Sequence, residues 1–133
     1  MSGKTTNPFL SDFDYNQIIS YFDVKEFHTF NKGCNIYSQN APADCIHFIL
    51  SGNIEIRKSS KINTVSLGFA GPGHLLGLED VLTVEKYSNS AFAMERTNTF
   101  SVEKKIFFNN VKRNVELKLW ILRYLSRRTG SCR

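Results

Sequence analysis

The stretch from Cys45 to Arg57 restricts the fold more than any other part of the chain. Residues 45–50 are largely apolar at both odd and even positions, so both faces of a strand formed by them would be apolar. This favours a strand at the centre of a sheet. The turn sequence Ser51-Gly52-Asn53 follows, and residues 54–57 then alternate isoleucine with charged side chains. This pattern is typical of two strands joined by a tight turn, the second strand having one buried and one exposed face.

Short strand-like segments continue on both sides of this pair. A polar hairpin loop at residues 58–63 leads into a returning strand whose apolar positions are Val65, Leu67 and Phe69. Further strands are expected from Lys25 onward, around Ile36-Tyr37, at residues 90–94 and at residues 99–102. Many short strands at this spacing predict a mainly β protein, a sandwich or jelly-roll barrel, with the β roll over about residues 25–102.

Helical spacing appears at both ends of the predicted β roll. Residues 1–8 have the composition of a loose terminus. From Phe9, apolar spacing indicates a short amphipathic helix that begins near Ser11 or Asp12, either of which could cap it. Two further helices are expected over about residues 103–128, the second capped by Asn114. With 133 residues, the chain is predicted to form a single domain over residues 9–133.

The long C-terminal helix has two apolar stripes. One stripe consists of Val115, Leu119, Leu122 and Leu125, and the other of Leu117, Ile121 and Tyr124, with Trp120 between them. A small barrel cannot cover a helix that is apolar over so much of its circumference. We therefore expect a homodimer through the first stripe; the alternative is that the whole helix folds back on its own barrel.

Composition and charge narrow the class of protein. The chain is 41% hydrophobic and 22% charged, which excludes disordered and collagen-like classes. It has neither an apolar run of about 18 residues nor the apolar core of a secretory signal, so we expect a cytoplasmic protein without a membrane segment. Cys34, Cys45 and Cys132 are an odd number without metal-type spacing, which indicates reduced thiols.

The positive charge lies at the C-terminal end. Residues 101–133 contain nine Lys or Arg and two Glu, which gives +7, so the first hundred residues carry −2 of the net +5. A basic terminal segment can contact nucleic acid or an acidic partner, and it can equally be a solvated helix face.

Metal or enzyme chemistry is not indicated by the residue pattern. His28, His47 and His74 are 19 and 27 residues apart and include no His-x-His pair, as a metal-dependent barrel enzyme would use. There is no local signature of a Ser/His/Asp or Cys/His set. Glu79 and Asp80 are adjacent and would point apart on a helix. We expect no metal site and no catalysis.

A glycine-rich stretch carries the best candidate for ligand binding. Gly71-Pro72-Gly73 forms a turn, and Gly77 opens a short segment that leads to a strand beginning Ser90-Ala91. Glycines beside a helix start allow the backbone to approach an anion closely. Such turns also serve as plain connections between strands, so both interpretations are open.

The order of these features resembles the cyclic-nucleotide-binding domain of the Crp/Fnr family. The resemblance covers about residues 24–128 and rests on Gly33, Ile36, Asp44, the sequence IHFILSGNIEI, the Gly-Pro-Gly turn and Gly77. It implies a double-stranded β-helix, or jelly roll, with a C-terminal dimerisation helix. It also implies a regulatory sensor that signals by ligand binding and dimerisation, with cAMP or cGMP as ligand, in a transcription regulator.

The resemblance implies a ligand-binding segment in which two key groups are replaced. Its residues here are Gly77, Leu78, Glu79, Asp80, Asn89, Ser90 and Ala91. In family members that bind cyclic nucleotide, a Glu after the glycine accepts the ribose 2′-hydroxyl, and an Arg pairs with the cyclic phosphate. Those positions are Leu78 and Asn89 here. A one-residue shift would bring Glu79 inward, but an amide cannot replace a guanidinium charge.

Two interpretations of function therefore stand. One is a sensor that binds a cyclic nucleotide or another ligand; the alternative is a degenerate domain that binds no cyclic nucleotide and acts as a protein-interaction module. The family's DNA-binding helix-turn-helix does not fit in the five residues after the long helix. We expect either a sensor without a DNA-binding module or a fragment of a longer regulator.

Overall fold

The computed structural model describes residues 19–23, 25–83 and 85–131, with side chains as far as residue 127. The strands are β1 (Glu26–Phe30), β2 (Asn35–Tyr37), β3 (Cys45–Ser51), β4 (Ile54–Ser59), β5 (Thr64–Ala70), β6 (Leu75–Leu76), β7 (Ser90–Ala93) and β8 (Thr97–Glu103). The helices are α1 (Leu78–Thr83), α2 (Lys104–Arg113) and α3 (Val115–Ser131). The described residues group into two compact units, Lys25–Lys104 and a second unit that contains residues 19–23 and 105–131.

The first unit consists of two antiparallel four-stranded sheets. The strand order is β1-β8-β3-β6 in one sheet and β2-β7-β4-β5 in the other. Ile46 and Phe48 of β3 are buried, and β3 pairs with β8 on one side and with β6 on the other. The prediction of a central strand at this position is confirmed, as is the mainly β, jelly-roll fold with flanking helices.

The returning strand differs from the simple period-two pattern. Val65, Leu67 and Phe69 are exposed on β5, the edge strand of the second sheet. Phe69 lies opposite Glu55, so it shares the outward face of that carboxylate instead of the inner face of Ile54. The register between β4 and β5 also shifts by one residue beside Gly68, which has φ +129°. A one-residue slip moves apolar side chains to the opposite face of a sheet.

The second unit is helical. Asn114 caps α3, since its Oδ1 accepts a hydrogen bond of 3.0 Å from the backbone N–H of Leu117. In α2, Phe107 is buried and its ring stacks on Phe22 at 5.8 Å between centroids. The predicted helix start near residue 103 and the predicted cap at Asn114 are confirmed. The amphipathic helix expected after Phe9 lies mostly outside the described residues.

The two stripes of α3 have different exposures. Leu117, Trp120, Ile121 and Tyr124 are buried, with the Trp120 and Tyr124 rings stacked at 5.6 Å. Val115, Leu119 and Leu122 are 67%, 47% and 57% exposed, and Leu125 is half-buried. The expectation that one chain covers only one of the stripes is therefore met within the part of α3 whose side chains are described.

The turn between β3 and β4 depends on Gly52. Its φ is +108°, and a Cβ there would meet Thr97 Oγ1 and lie 2.7 Å from Thr97 Cα. Gly52→Ala should therefore lower the free energy of unfolding by roughly 2–4 kcal/mol, from backbone strain and overpacking together. Urea denaturation measures this difference.

Gly33→Ala is the matched control for that substitution. Gly33 also has a positive φ, +89°, but nothing lies within 4 Å of its added Cβ. Only the backbone strain should therefore act in Gly33→Ala, and it should lower the free energy of unfolding by about 1–2 kcal/mol. Equal losses in the two variants would contradict the close approach of Gly52 to β8.

Candidate ligand-binding site

The segment from Gly71 to Ala91 is built onto β3. In the Gly-Pro-Gly turn, the N–H of Gly73 donates to the carbonyl of Ile49 at 3.1 Å, and the N–H of Ile49 donates to the carbonyl of His74 at 3.1 Å. Gly77 then has φ +85° and leads directly into α1. We refer to residues 77–91, which comprise α1, the following loop and the start of β7, as the cassette.

The loop of the cassette is hydrogen-bonded to the segment that follows β2. The N–H of Ala43 donates to the carbonyl of Glu85 at 2.8 Å, and the N–H of Tyr87 donates to the carbonyl of Ala41 at 2.9 Å. The N–H of Asn40 donates to the carbonyl of Tyr87 at 2.8 Å. These three backbone bonds hold the loop against residues 40–43.

An aromatic cluster supports the cassette from inside the β unit. The ring of Tyr87 stacks on Tyr37 at 4.1 Å between centroids, and Tyr37 stacks on His47 at 5.5 Å. The hydroxyl of Tyr87 donates to the carbonyl of Cys45 at 2.7 Å. A Cβ on Gly77 would lie 2.8 Å from Tyr87 Cε1, so only glycine fits where the cassette passes over this ring.

The cluster is held in its uncharged state. Burial, with a smaller contribution from the charge of His28, lowers the pKa of His47 to about 4. Burial likewise raises the pKa of Tyr87 to about 12 and raises the pKa of the Cys45 thiol. The Nδ1 atom of His47 is buried and has no hydrogen-bond partner. Near pH 7 the floor of the site therefore carries no charge.

The structure places the residues around α1 in different environments. Leu78 and Ala91 are fully buried, and Glu79 is exposed. Asp80 is buried, and its Oδ2 accepts hydrogen bonds from the N–H and the hydroxyl of Ser88, at 3.1 and 3.2 Å. The Asp80 carboxylate is therefore hydrogen-bonded within the cassette loop. Glu79 does not take the inward position that a one-residue shift of the loop would give it.

Asn89 and Ser90 are both half-buried and hydrogen-bonded. Asn89 Oδ1 accepts a bond of 3.3 Å from the hydroxyl of Tyr37, and its Nδ2 lies 3.4 Å from Ser88 Oγ. Ser90 Oγ accepts a bond of 2.8 Å from the N–H of Gln39. The amide that stands at the guanidinium position is therefore engaged with neighbouring side chains.

A groove of about 580 Å³ opens beside Ser90. Its other walls are the segment after β2 and the loop between β4 and β5, and it is lined by Ser38, Gln39, Asn40, Ser59, Ser60, Lys61 and Ser90. Sequence reasoning included only Ser90 of this set. The other six belong to segments whose composition indicates turns, and the pairing of β7 with β2 and with β4, together with the hydrogen bonds of Gln39, brings them beside Ser90.

Two further observations concern other kinds of site. The described residues contain no group of three or more His, Cys, Asp or Glu side chains that could hold a metal ion. No helix in the same part of the chain is long and apolar enough to cross a membrane. Cys34 and Cys45 are free thiols, and Cys132 lies outside the described residues.

Two antiparallel sheets with a glycine-initiated helical cassette between β6 and β7 define a jelly-roll ligand-binding domain. The family model for the cyclic nucleotide-binding domain matches residues 27–114, more than half of the chain. The chain therefore belongs to the cyclic nucleotide-binding domain family, and its fold resembles that of Crp/Fnr-type regulators. Among curated protein sequences no significant relative was found.

Solved structures with the same fold include three bacterial regulators. The catabolite activator protein of Thermus thermophilus is 20% identical with a TM-score of 0.76, and the match covers 95% of this chain and 60% of that protein. The sensor domain of the regulator DNR from Pseudomonas aeruginosa is 17% identical with a TM-score of 0.73, covering 94% and 85%. The c-di-GMP-responsive regulator CLP of Xanthomonas campestris is 14% identical with a TM-score of 0.73, covering 87% and 59%.

The buried imidazole predicts a pH dependence of stability. The unfolded chain takes up a proton on His47 near pH 6.5, whereas the folded chain does so only near pH 4. The contribution of neutral His47 to the free energy of unfolding is therefore fully present above pH 6.5. It is lost as the pH falls towards 4, and about 1 kcal/mol is lost by pH 5.5. Urea unfolding at pH 7.5 and 5.5 measures this loss.

A His47→Gln variant isolates that contribution. The variant should be less stable overall, but its loss between the two pH values should be smaller than that of the unmodified protein by about 1 kcal/mol. Both proteins contain the same other residues, so the difference between their two losses is assigned to position 47. Equal losses in the two proteins would contradict a neutral, buried His47.

Proposed function

We propose that this chain is a regulatory sensor domain that binds a small ligand at the cassette and signals as a homodimer. The observation that carries this proposal is the geometry of the cassette. Gly77 keeps a positive φ against Tyr87, and three backbone hydrogen bonds tie the following loop to residues 40–43. A degenerate module would not need this loop in one conformation, since its function would depend on other surfaces.

Cyclic nucleotides are the first ligands to consider, and we expect them to bind weakly. The resemblance implies a carboxylate after Gly77 and a guanidinium at position 89, but here Leu78 is buried and Asn89 is neutral. Loss of one charge-assisted hydrogen bond to an anion costs on the order of 1.5–3 kcal/mol, which is roughly tenfold to a few hundredfold in affinity. The Xanthomonas regulator of the same fold responds to c-di-GMP, so ligands other than cAMP and cGMP are also candidates for this chain.

The corresponding role is regulatory and involves no catalysis. The domain would work in the cytoplasm as part of a transcription regulator or beside one. Its part would be to convert occupancy of the cassette into a change in the second, helical unit.

Asn89→Arg tests the ligand site directly. Calorimetric titration with cAMP and cGMP should show binding by the variant that is at least tenfold tighter than binding by the unmodified protein, because a guanidinium can pair with the cyclic phosphate. Glu85→Gln, in the same exposed loop, raises the net charge by the same one unit and should have little effect. If neither the unmodified protein nor Asn89→Arg binds cAMP or cGMP, cyclic-nucleotide binding at the cassette is contradicted and the interaction-module alternative is favoured.

The exposed stripe of α3 supports dimerisation. Val115, Leu119, Leu122 and Leu125 recur at intervals of three or four residues, so they lie along one face of the helix. Exposed apolar side chains in a continuous row mark an interaction surface. A second copy of the chain presents the same row of side chains. Contact between the two copies about a twofold axis would therefore cover the exposed stripe of each.

Leu119→Glu combined with Leu122→Glu should produce a monomer in sedimentation-velocity experiments. Two carboxylates at the centre of an apolar interface would be buried without partners. Lys105→Glu is the control, because it changes the net charge by the same two units at an exposed position of α2, outside the apolar stripe of α3. A dimer that persists in the double variant, or a monomer in the control, would argue against this seam.

A further inference from the structure

We propose that the groove beside Ser90 binds the phosphate group of a small phosphorylated ligand and that Lys61 supplies the positive charge that the cassette lacks. This inference rests on the proposed sensing function and deepens it, since it names the chemical class of the ligand and the group that neutralises its charge. In this arrangement the cation comes from the loop between β4 and β5 and not from β7.

The charge distribution around the site supports the groove as the place for an anion. Its seven lining residues comprise hydroxyl and amide side chains and one lysine, with no carboxylate. The start of α1, by contrast, carries Glu79 and Asp80. An anion placed there meets two negative charges, whereas the groove offers hydrogen-bond donors and one positive charge.

Asn89 is not a candidate for the residue that contacts an anion in the groove. Its amide is hydrogen-bonded to Tyr37 and Ser88, and it is not among the residues that line the groove. Lys86, the basic residue of the cassette loop, is exposed and does not line the groove either. Among the described residues, Lys61 is therefore the cation that shares a cavity with Ser90.

The walls of the groove are fixed in place by Gln39. Its Nε2 donates to the carbonyl of Ser59 at 3.0 Å, and its Oε1 accepts from the N–H of Ser59 at 2.8 Å. The side-chain amide thus pairs with a strand backbone in the way that a neighbouring strand would. Asn40, with φ +72°, is held by its bond to Tyr87. Both sides of the groove are in position before a ligand arrives, which lowers the entropic cost of binding.

The donors needed for a phosphate are available. The hydrogen bond from Gln39 N–H uses a lone pair of Ser90 Oγ, so the Ser90 hydroxyl can still donate. Lys61 is exposed and makes no ion pair with any residue that the structure describes. An ammonium and a hydroxyl are both suitable donors to phosphate oxygens. The volume of about 580 Å³ is within the range of small-molecule sites, and the groove is widely open to solvent.

The test compares probes that differ in their phosphate. The full chain is titrated calorimetrically with 5′-AMP, cAMP, inorganic phosphate and adenosine, each at 50 and 300 mM salt. We expect the phosphorylated probes to bind more tightly than adenosine and to lose affinity at the higher salt concentration. Lys61→Gln should weaken the phosphorylated probes at least tenfold and leave adenosine unchanged, and Lys61→Arg should retain most of the affinity.

Lys58→Gln is the matched control. Lys58 is exposed on β4 close to the same loop, and its replacement removes the same charge, but it does not line the groove. Its effect on affinity should be less than twofold. Equal losses of affinity in Lys58→Gln and Lys61→Gln would overturn the inference. They would show that only the total positive charge of the hairpin matters, and not the position of Lys61 in the groove.

The remaining outcomes separate this inference from the proposed function. No binding of any phosphorylated probe at millimolar concentration, or equal binding of adenosine and AMP, would overturn the phosphate site. The sensor proposal would still stand if Asn89→Arg bound cyclic nucleotide, because that variant restores a charge within the cassette. Thermal melts of Lys61→Gln and Lys58→Gln, expected to match that of the unmodified protein, exclude misfolding as the cause of lost binding.

Discussion

The stacking of Tyr87 on Tyr37, together with the hydrogen bond from the Tyr87 hydroxyl to the carbonyl of Cys45, is the contact on which the site depends. It anchors the cassette loop to both sheets at once, since Tyr37 belongs to β2 and Cys45 to β3. Burial keeps Tyr87 and the adjacent His47 neutral, so the contact places no charge inside the β unit. The requirement for glycine at position 77 follows from the same ring, which leaves no room for a Cβ.

This arrangement separates the shape of the site from its charge. The shape is held by backbone hydrogen bonds, by a buried aromatic cluster and by Asp80, whose carboxylate is occupied by Ser88. None of these needs a cation at position 89. A substitution at position 89 can therefore change the charge of the site without unfolding the cassette, and in our proposal Lys61 on the hairpin loop supplies the cation.

Much of the fold followed from residue patterns because local rules and tertiary contacts agree there. The apolar stretch of β3, the cap at Asn114 and the two stripes of α3 were all correctly predicted, since each depends on spacing or on one hydrogen bond within a few residues. The orientation of the apolar residues of β5 could not be predicted from their alternation. Phe69 faces outward because pairing opposite Glu55 sets its face, and alternation along one strand does not reveal the register with the next.

The sequence by itself determined the class of protein: a jelly roll with a glycine-initiated cassette, in which Leu78 and Asn89 stand where the resemblance to the Crp/Fnr family implies a carboxylate and a guanidinium. Those features are identities of residues at fixed spacing, and they can be recognised without coordinates. Only the tertiary structure decided which side chains face one another. It buried Asp80, exposed Glu79 and placed Lys61 in a groove with Ser90, because residues 29 positions apart meet only through the pairing of strands and the bridge from Gln39 to Ser59.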